Sequence, residues 1–130
     1  MRKRLLAISF ILLILLCGCG ATDESTTSDY QTITANEAYD MMQEKEEAII
    51  LDVRTQKEFD EGHIPNALLI PDNEIREKAE SILTDKEATI LVYCRSGRRS
   101  ALAAKELAAL GYKKIYDFGG IIDWNYNVVA

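Results

Sequence analysis

Apolar and polar positions fall along this chain in blocks, and the period of each block predicts an element. Ala48 to Leu51 is a continuous apolar run closed by Asp52, as expected of a parallel strand buried on both faces. Thr89 to Tyr93 (TILVY) is a stronger run of the same kind, rich in β-branched residues. Shorter strands are predicted from Tyr30 to Ile33, from Ala67 to Ile70 and from Lys114 to Tyr116. Between them the spacing turns helical. Thr34 with Glu37, and Thr55 with Glu58, stand at capping-box separation. The first pair opens a helix to about Gln43; the second opens a short one that carries Phe59 and stops at Gly62. Asp72 is placed to cap a helix from Asn73 to about Leu83. From about Arg98 an Ala- and Leu-rich stretch sets Ala101, Ala104 and Ala108 on one face with Leu107 and Leu110 close by, and Gly111 stands where such a helix ends. Gly119-Gly120 reads as the opening of a terminal helix. Strands alternating with helices predict an α/β layer fold around a central, mostly parallel sheet.

The first twenty residues follow a different pattern. Arg2, Lys3 and Arg4 precede an apolar run from Leu5 to Leu16 broken only by Ser9. As a helix this run spans about 18 Å, short of the roughly 30 Å hydrocarbon core, so it suits a secretory signal better than a membrane span. The sequence Leu16-Cys17-Gly18-Cys19 resembles the lipobox of bacterial lipoproteins. That resemblance implies cleavage before Cys19 and a lipid on its thiol; an uncleaved signal anchor is the alternative. Two or more acyl chains hold a protein to a bilayer stably, where one does not. Residues 1–18 are thus expected to be a lipoprotein signal peptide, 19–29 a lipidated cysteine with a flexible acidic tether, and 30–130 the folded domain. The expected location is the extracytoplasmic face of the cell membrane.

Composition narrows the function classes. The chain has 130 residues, 48% hydrophobic and 28% charged, which suits one folded domain. A net charge of −6 argues against general nucleic-acid affinity. Two of the three cysteines lie in the N-terminal segment, so a disulfide framework is excluded. One His and one remaining Cys do not make a metal ligand set, and no Gly-rich nucleotide loop is present, so no metal and no cofactor are expected. A tethered single domain makes a monomer the default.

The candidate chemistry lies where the strongest strand runs into Cys94-Arg95-Ser96-Gly97-Arg98-Arg99-Ser100 and then into a helix. Strand, tight loop and helix start aim backbone N–H groups at one point. A sulfur placed there is expected to ionise readily, because amide donors and nearby cations stabilise the thiolate. Arg95, Arg98 and Arg99 form a positive island on an acidic chain, suited to holding a small anion. Gly97 permits a positive φ, and Ser100 can hydrogen-bond into the loop. The alternative is a small buried residue at a strand end, which three neighbouring arginines make costly.

The loop CRSGRRS resembles the active-site loop of rhodanese-family sulfurtransferases, and three further stretches resemble that family's motifs in the same order: LDVR from Leu51, EFDEGHIPNALLIP from Glu58 and FGGIIDW from Phe118. The resemblance implies a five-stranded parallel sheet with helices on both faces. It implies a Cys94 persulfide, loaded by thiosulfate or a similar anionic donor and unloaded by cyanide or a thiol. The amides from Arg95 through Ser96, Gly97 and Arg98 to Arg99 would cradle the outer sulfur, with Arg95 and Arg98 meeting the donor's sulfonate and Arg99 bracing the loop. Asp52, Arg54, Glu58 and His63 are carried over as motif residues, and their spacing suggests support: a carboxylate at a strand end, an Arg54–Glu58 pair, and a hydrogen-bonded His in a turn rather than a general base. Asn66 stands where the family usually has Gly, a position Asn tolerates.

Two other functions compete. A cysteine-dependent phosphatase needs Arg six positions after its Cys, and here that position is Ser100. A non-catalytic module of the same family typically lacks the cysteine, which this chain keeps.

Overall fold

The computed structural model describes residues 29–130. The expected signal peptide and the tether up to residue 28, with Cys19, lie outside the described residues. Within 29–130 no helix is long and apolar enough to cross a membrane.

Five parallel strands make one sheet: β1 (Gln31–Thr32), β2 (Ile49–Asp52), β3 (Leu68–Leu69), β4 (Thr89–Cys94) and β5 (Lys114–Gly120), in the order β1-β5-β4-β2-β3. Four helices connect them: α1 (Ala35–Glu44), α2 (Gln56–Glu61), α3 (Ile75–Ile82) and α4 (Arg98–Ala109). This is the five-stranded parallel α/β architecture that the resemblance implies. The central strand β4 is buried at all six positions, and its side chains divide two cores by strand alternation. Ile90, Val92 and Cys94 join Ala79, Ala103, Ala104 and Leu107 of α3 and α4 on one face. Leu91 and Tyr93 join Ala38, Ile64 and Phe118 on the α1 face. Cys94 therefore belongs, through its strand, to the α3–α4 side.

Both capping boxes form: the Thr34 and Thr55 hydroxyls accept from the Glu37 and Glu58 amides, and each glutamate reaches back to the threonine N–H. Asn66 takes φ 68°, the sole positive value outside glycine among the described residues. Three expectations are corrected. Asp72 caps nothing with its side chain; it begins a 3₁₀ turn (Asp72–Glu74) ahead of α3. The buried stripe of α4 is Ser100, Ala103, Ala104 and Leu107; Ala104 and Leu107 lie as expected, but Ala101 and Ala108 are only half-buried, because the helix packs under β4 and beside α3. Gly119-Gly120 opens no terminal helix. The two residues extend β5, and only a 3₁₀ turn (Ile121–Asp123) follows. Sequence pattern sees glycine as a breaker, whereas here strand pairing with Cys94 continues through Gly120.

Candidate active site

Cys94 ends β4, and α4 begins at Arg98, so three residues turn the chain from strand to helix. Gly97 makes the turn in the left-handed region, at φ 106°. Its N–H donates to the Cys94 Sγ at 3.0 Å. The amides of Arg98 and Arg99 open the helix and have no partner inside it, so they face the same end of the fold. Below the sulfur, Ser100 is fully buried. Its hydroxyl donates to the Gly97 carbonyl at 3.1 Å, with the Gly119 carbonyl at 3.4 Å, and its oxygen lies 3.5 Å from Sγ, placed to accept from the thiol. Ser100 thus fills the position where a phosphatase loop needs a guanidinium.

The cysteine residue is only 1% exposed. Its sulfur sits beneath the loop that runs from Arg95 to Gly97, against the Gly97 N–H. Arg95, Ser96 and Arg98 above are exposed. Among the described residues Arg95 and Arg98 make no ion pair or side-chain hydrogen bond, which leaves their guanidiniums open at the loop.

Arg99 is occupied elsewhere. It forms a two-point pair with Glu58 at 2.8 and 2.9 Å, joining α4 to the first turn of α2. The expected Arg54–Glu58 pair does not form. Arg54 binds Asp52, two residues back on the same strand end, and leaves Glu58 to Arg99. Hydrogen bonding to Arg99, and then to Thr55, outweighs partial burial and lowers the Glu58 carboxyl from 4.5 to about 2. A group depressed in this way stabilises the fold above its unfolded value and loses that contribution as pH falls towards the folded one. Stability should therefore drop between about pH 4.5 and about 2, and Glu58→Gln should flatten that part of the profile while costing about 1–2 kcal/mol at neutral pH. Urea midpoints measured across this range check it; an unchanged acid slope in the variant would refute the assignment.

A second network lies behind the loop. Asp52, with no exposure, accepts from the Arg54 N–H at 2.9 Å, from Arg54 Nε and Nη2 at 3.0 and 2.7 Å, and from the Tyr93 hydroxyl at 2.7 Å. Arg54 Nη2 also donates to the Gly62 carbonyl, and Tyr93 accepts from the Ile64 N–H. Burial first, and the Asp52 carboxylate next, push the Tyr93 hydroxyl above its ordinary value, so it stays protonated as a donor. His63 is held by other neighbours: Nδ1 lies 2.8 Å from the Phe59 carbonyl, the ring stacks on Phe59 at 3.7 Å, and its backbone pairs with Val129.

Tyr93 and Gly120 went unrecognised as parts of the site. Tyr93 reads as core in the sequence. Gly120 reads as a helix opener, yet a Cβ there would run into the Arg95 carbonyl and lie 2.7 Å from the Ser96 Cα. A register shift in β5 opposite Cys94 creates this approach, with the Asp117 carboxylate accepting from the Gly119 N–H at 3.0 Å. Gly120→Ala should displace the loop, at an overpacking cost of about 1–3 kcal/mol and with loss of most site function. Thermal unfolding and the turnover assay given below test this; a variant with the parent's stability and rate would show that the loop does not need the contact.

Comparisons with known proteins bear on the family and the fold. The rhodanese-like domain family matches residues 34–127. The thiosulfate sulfurtransferase GlpE of Coxiella burnetii is 36% identical over 96 residues, covering 73% of this chain and 87% of that protein. The thiosulfate sulfurtransferase PspE of Escherichia coli (strain K12) is 34% identical over 73 residues, covering 56% and 70%. Among solved structures, a rhodanese-related protein from Thermoplasma volcanium superposes with a TM-score of 0.67 at 34% identity, covering 77% of this chain and 98% of that one.

Proposed function

Because the chain belongs to the rhodanese-like domain family, we propose that it is a sulfurtransferase that carries sulfane sulfur on Cys94, taking it from thiosulfate or a similar anionic donor and passing it to cyanide or a thiol. The observation that carries this reading is the 3.0 Å bond from the Gly97 amide to the Cys94 sulfur, at a loop flanked by the unengaged guanidiniums of Arg95 and Arg98. GlpE and PspE, named as thiosulfate sulfurtransferases, support the donor.

The step is a displacement at sulfur. The Cys94 thiolate attacks the outer sulfur of thiosulfate, the sulfur–sulfur bond of the donor breaks, and sulfite leaves with the bonding pair. Arg95 and Arg98 hold the sulfonate and the departing sulfite. The helix-start amides and the Gly97 N–H receive charge as it builds on the persulfide's outer sulfur. No general base is required once the thiolate exists. Burial of the cysteine restricts the reaction to slender reagents that pass between the loop amides, and the single outer sulfur of thiosulfate is one.

Mass spectrometry after incubation with thiosulfate tests the reading. The expected result is a gain of about 32 Da on the peptide containing Cys94, removed by cyanide with formation of thiocyanate. Neither adduct nor thiocyanate would overturn it. At the other end of the chain, the lipobox-like Leu16-Cys17-Gly18-Cys19 supports a lipid anchor on Cys19 and an extracytoplasmic, membrane-bound location. Cys19→Ser should then move the protein from the membrane fraction to the soluble fraction.

A further inference from the structure

Beside the loop lies a depression of about 300 Å³, small for a ligand site and of amino-acid scale. Arg95 and Arg54 line it together with Glu58 and Glu61, and Gly62, Ile121 and Ile122 complete it. Two of the four charged groups are already satisfied. Arg54 is bound to Asp52 and the Gly62 carbonyl, and Glu58 to Arg99. Two remain open. Among the described residues Arg95 has no partner, and Glu61 meets only Lys57, at 3.9 Å across side chains 65% and 86% exposed. A contact that long and that wet holds neither group in place.

The same depression carries an apolar ledge, Ile121 and Ile122. Ile122 is 63% exposed, more than any other large hydrophobic residue among those described, and its N–H reaches the Arg95 carbonyl at 3.3 Å. The ledge is therefore tied to the same loop that presents Cys94.

Resting on the sulfur-transfer reading above, we propose that the acceptor is a small zwitterionic thiol, an amino-acid-type molecule with carboxylate and ammonium, held between Arg95 and Glu61 across Ile121 and Ile122. An acceptor with only negative charge would face the Glu61 carboxylate. An uncharged thiol would leave both groups unpaired. A molecule bearing both charges satisfies both, with its carbon stem on the isoleucines. Arg95 serves donor and acceptor in turn without conflict, because sulfite has left before the acceptor enters. The acceptor thiolate attacks the outer sulfur of the Cys94 persulfide and forms a new sulfur–sulfur bond. The bond to Cys94 Sγ breaks, its electron pair stays on Cys94 as thiolate, and the product is the acceptor's persulfide. No oxidant or reductant is consumed.

The experiment compares four acceptors on the thiosulfate-loaded protein: cysteine, cysteamine (no carboxylate), 3-mercaptopropionate (no ammonium) and 2-mercaptoethanol (neither). Each is measured with the parent and with Glu61→Gln. Comparing variant with parent for the same thiol removes differences in thiol acidity. Expected is a rise in KM of roughly fivefold for cysteine and cysteamine in Glu61→Gln, with no rise for 3-mercaptopropionate or 2-mercaptoethanol. Thiosulfate-to-cyanide transfer should be unchanged in the variant. Arg95→Gln should complement this by raising KM for cysteine and 3-mercaptopropionate but not for cysteamine. KM values for cysteine and cysteamine that are the same in Glu61→Gln as in the parent would overturn the proposal while cyanide turnover persists. Loss of cyanide turnover in the parent itself would sink the sulfur-transfer reading, and the acceptor site with it.

Discussion

Cys94→Ser should reduce thiosulfate-to-cyanide transfer by on the order of a thousandfold or more, to the level of the uncatalysed blank. The substitution is nearly isosteric. The serine oxygen can accept from the Gly97 N–H that now meets sulfur at 3.0 Å, and it lies beside Ser100 as the thiol does. The fold should therefore persist, with an unfolding midpoint close to the parent's. What disappears is the chemistry. A serine hydroxyl stays protonated at neutral pH, and oxygen forms no stable counterpart of a persulfide. The measurement pairs thiocyanate formation with thermal unfolding, so that lost activity is separated from lost structure. Transfer by a folded Cys94→Ser protein at the parent's rate would place the carrier atom elsewhere.

Asp52→Ala should cost about 3–5 kcal/mol, the largest stability loss expected from a single side chain here. One carboxylate with no exposure accepts from the Arg54 amide, from its guanidinium and from the Tyr93 hydroxyl. Removing it strands a guanidinium whose residue is 5% exposed, with the Gly62 carbonyl as its remaining acceptor. The penalty is mainly the charge left behind, so Asp52→Ala with Arg54→Met should recover part of the loss. Urea unfolding of the parent, the single variant and the double variant measures this. A single variant within about 1 kcal/mol of the parent would show that the network does not support the site.

Local chemistry was legible in the chain wherever neighbours in sequence decide the outcome. Thr34 with Glu37 and Thr55 with Glu58 cap their helices within four residues, and both boxes form. Gly97 turns the loop because the strand end and helix start are three residues apart. Two misreadings at the site share one cause, which is a partner distant in sequence. Glu58 faces Arg99, not Arg54, because parallel strands bring the starts of α2 and α4 to the same end of the sheet. Tyr93 becomes a polar support only when β2 lies beside β4 and brings Asp52 to its hydroxyl.

By itself, then, the amino-acid sequence determined the alternation of strands and helices, the place of Cys94 at the end of the buried central strand, and the motifs that carry the family likeness. Hydrophobic period and capping act over a few residues, and a linear reading captures them. Tertiary structure alone decided that the thiol is roofed over, that Gly120 clears space for the Arg95 carbonyl, and that Asp52 takes Arg54 and Glu58 takes Arg99 while, among the described residues, Arg95 and Arg98 have no partner. Those outcomes depend on which groups meet across the sheet, and charge pairing follows distance in space rather than separation along the chain.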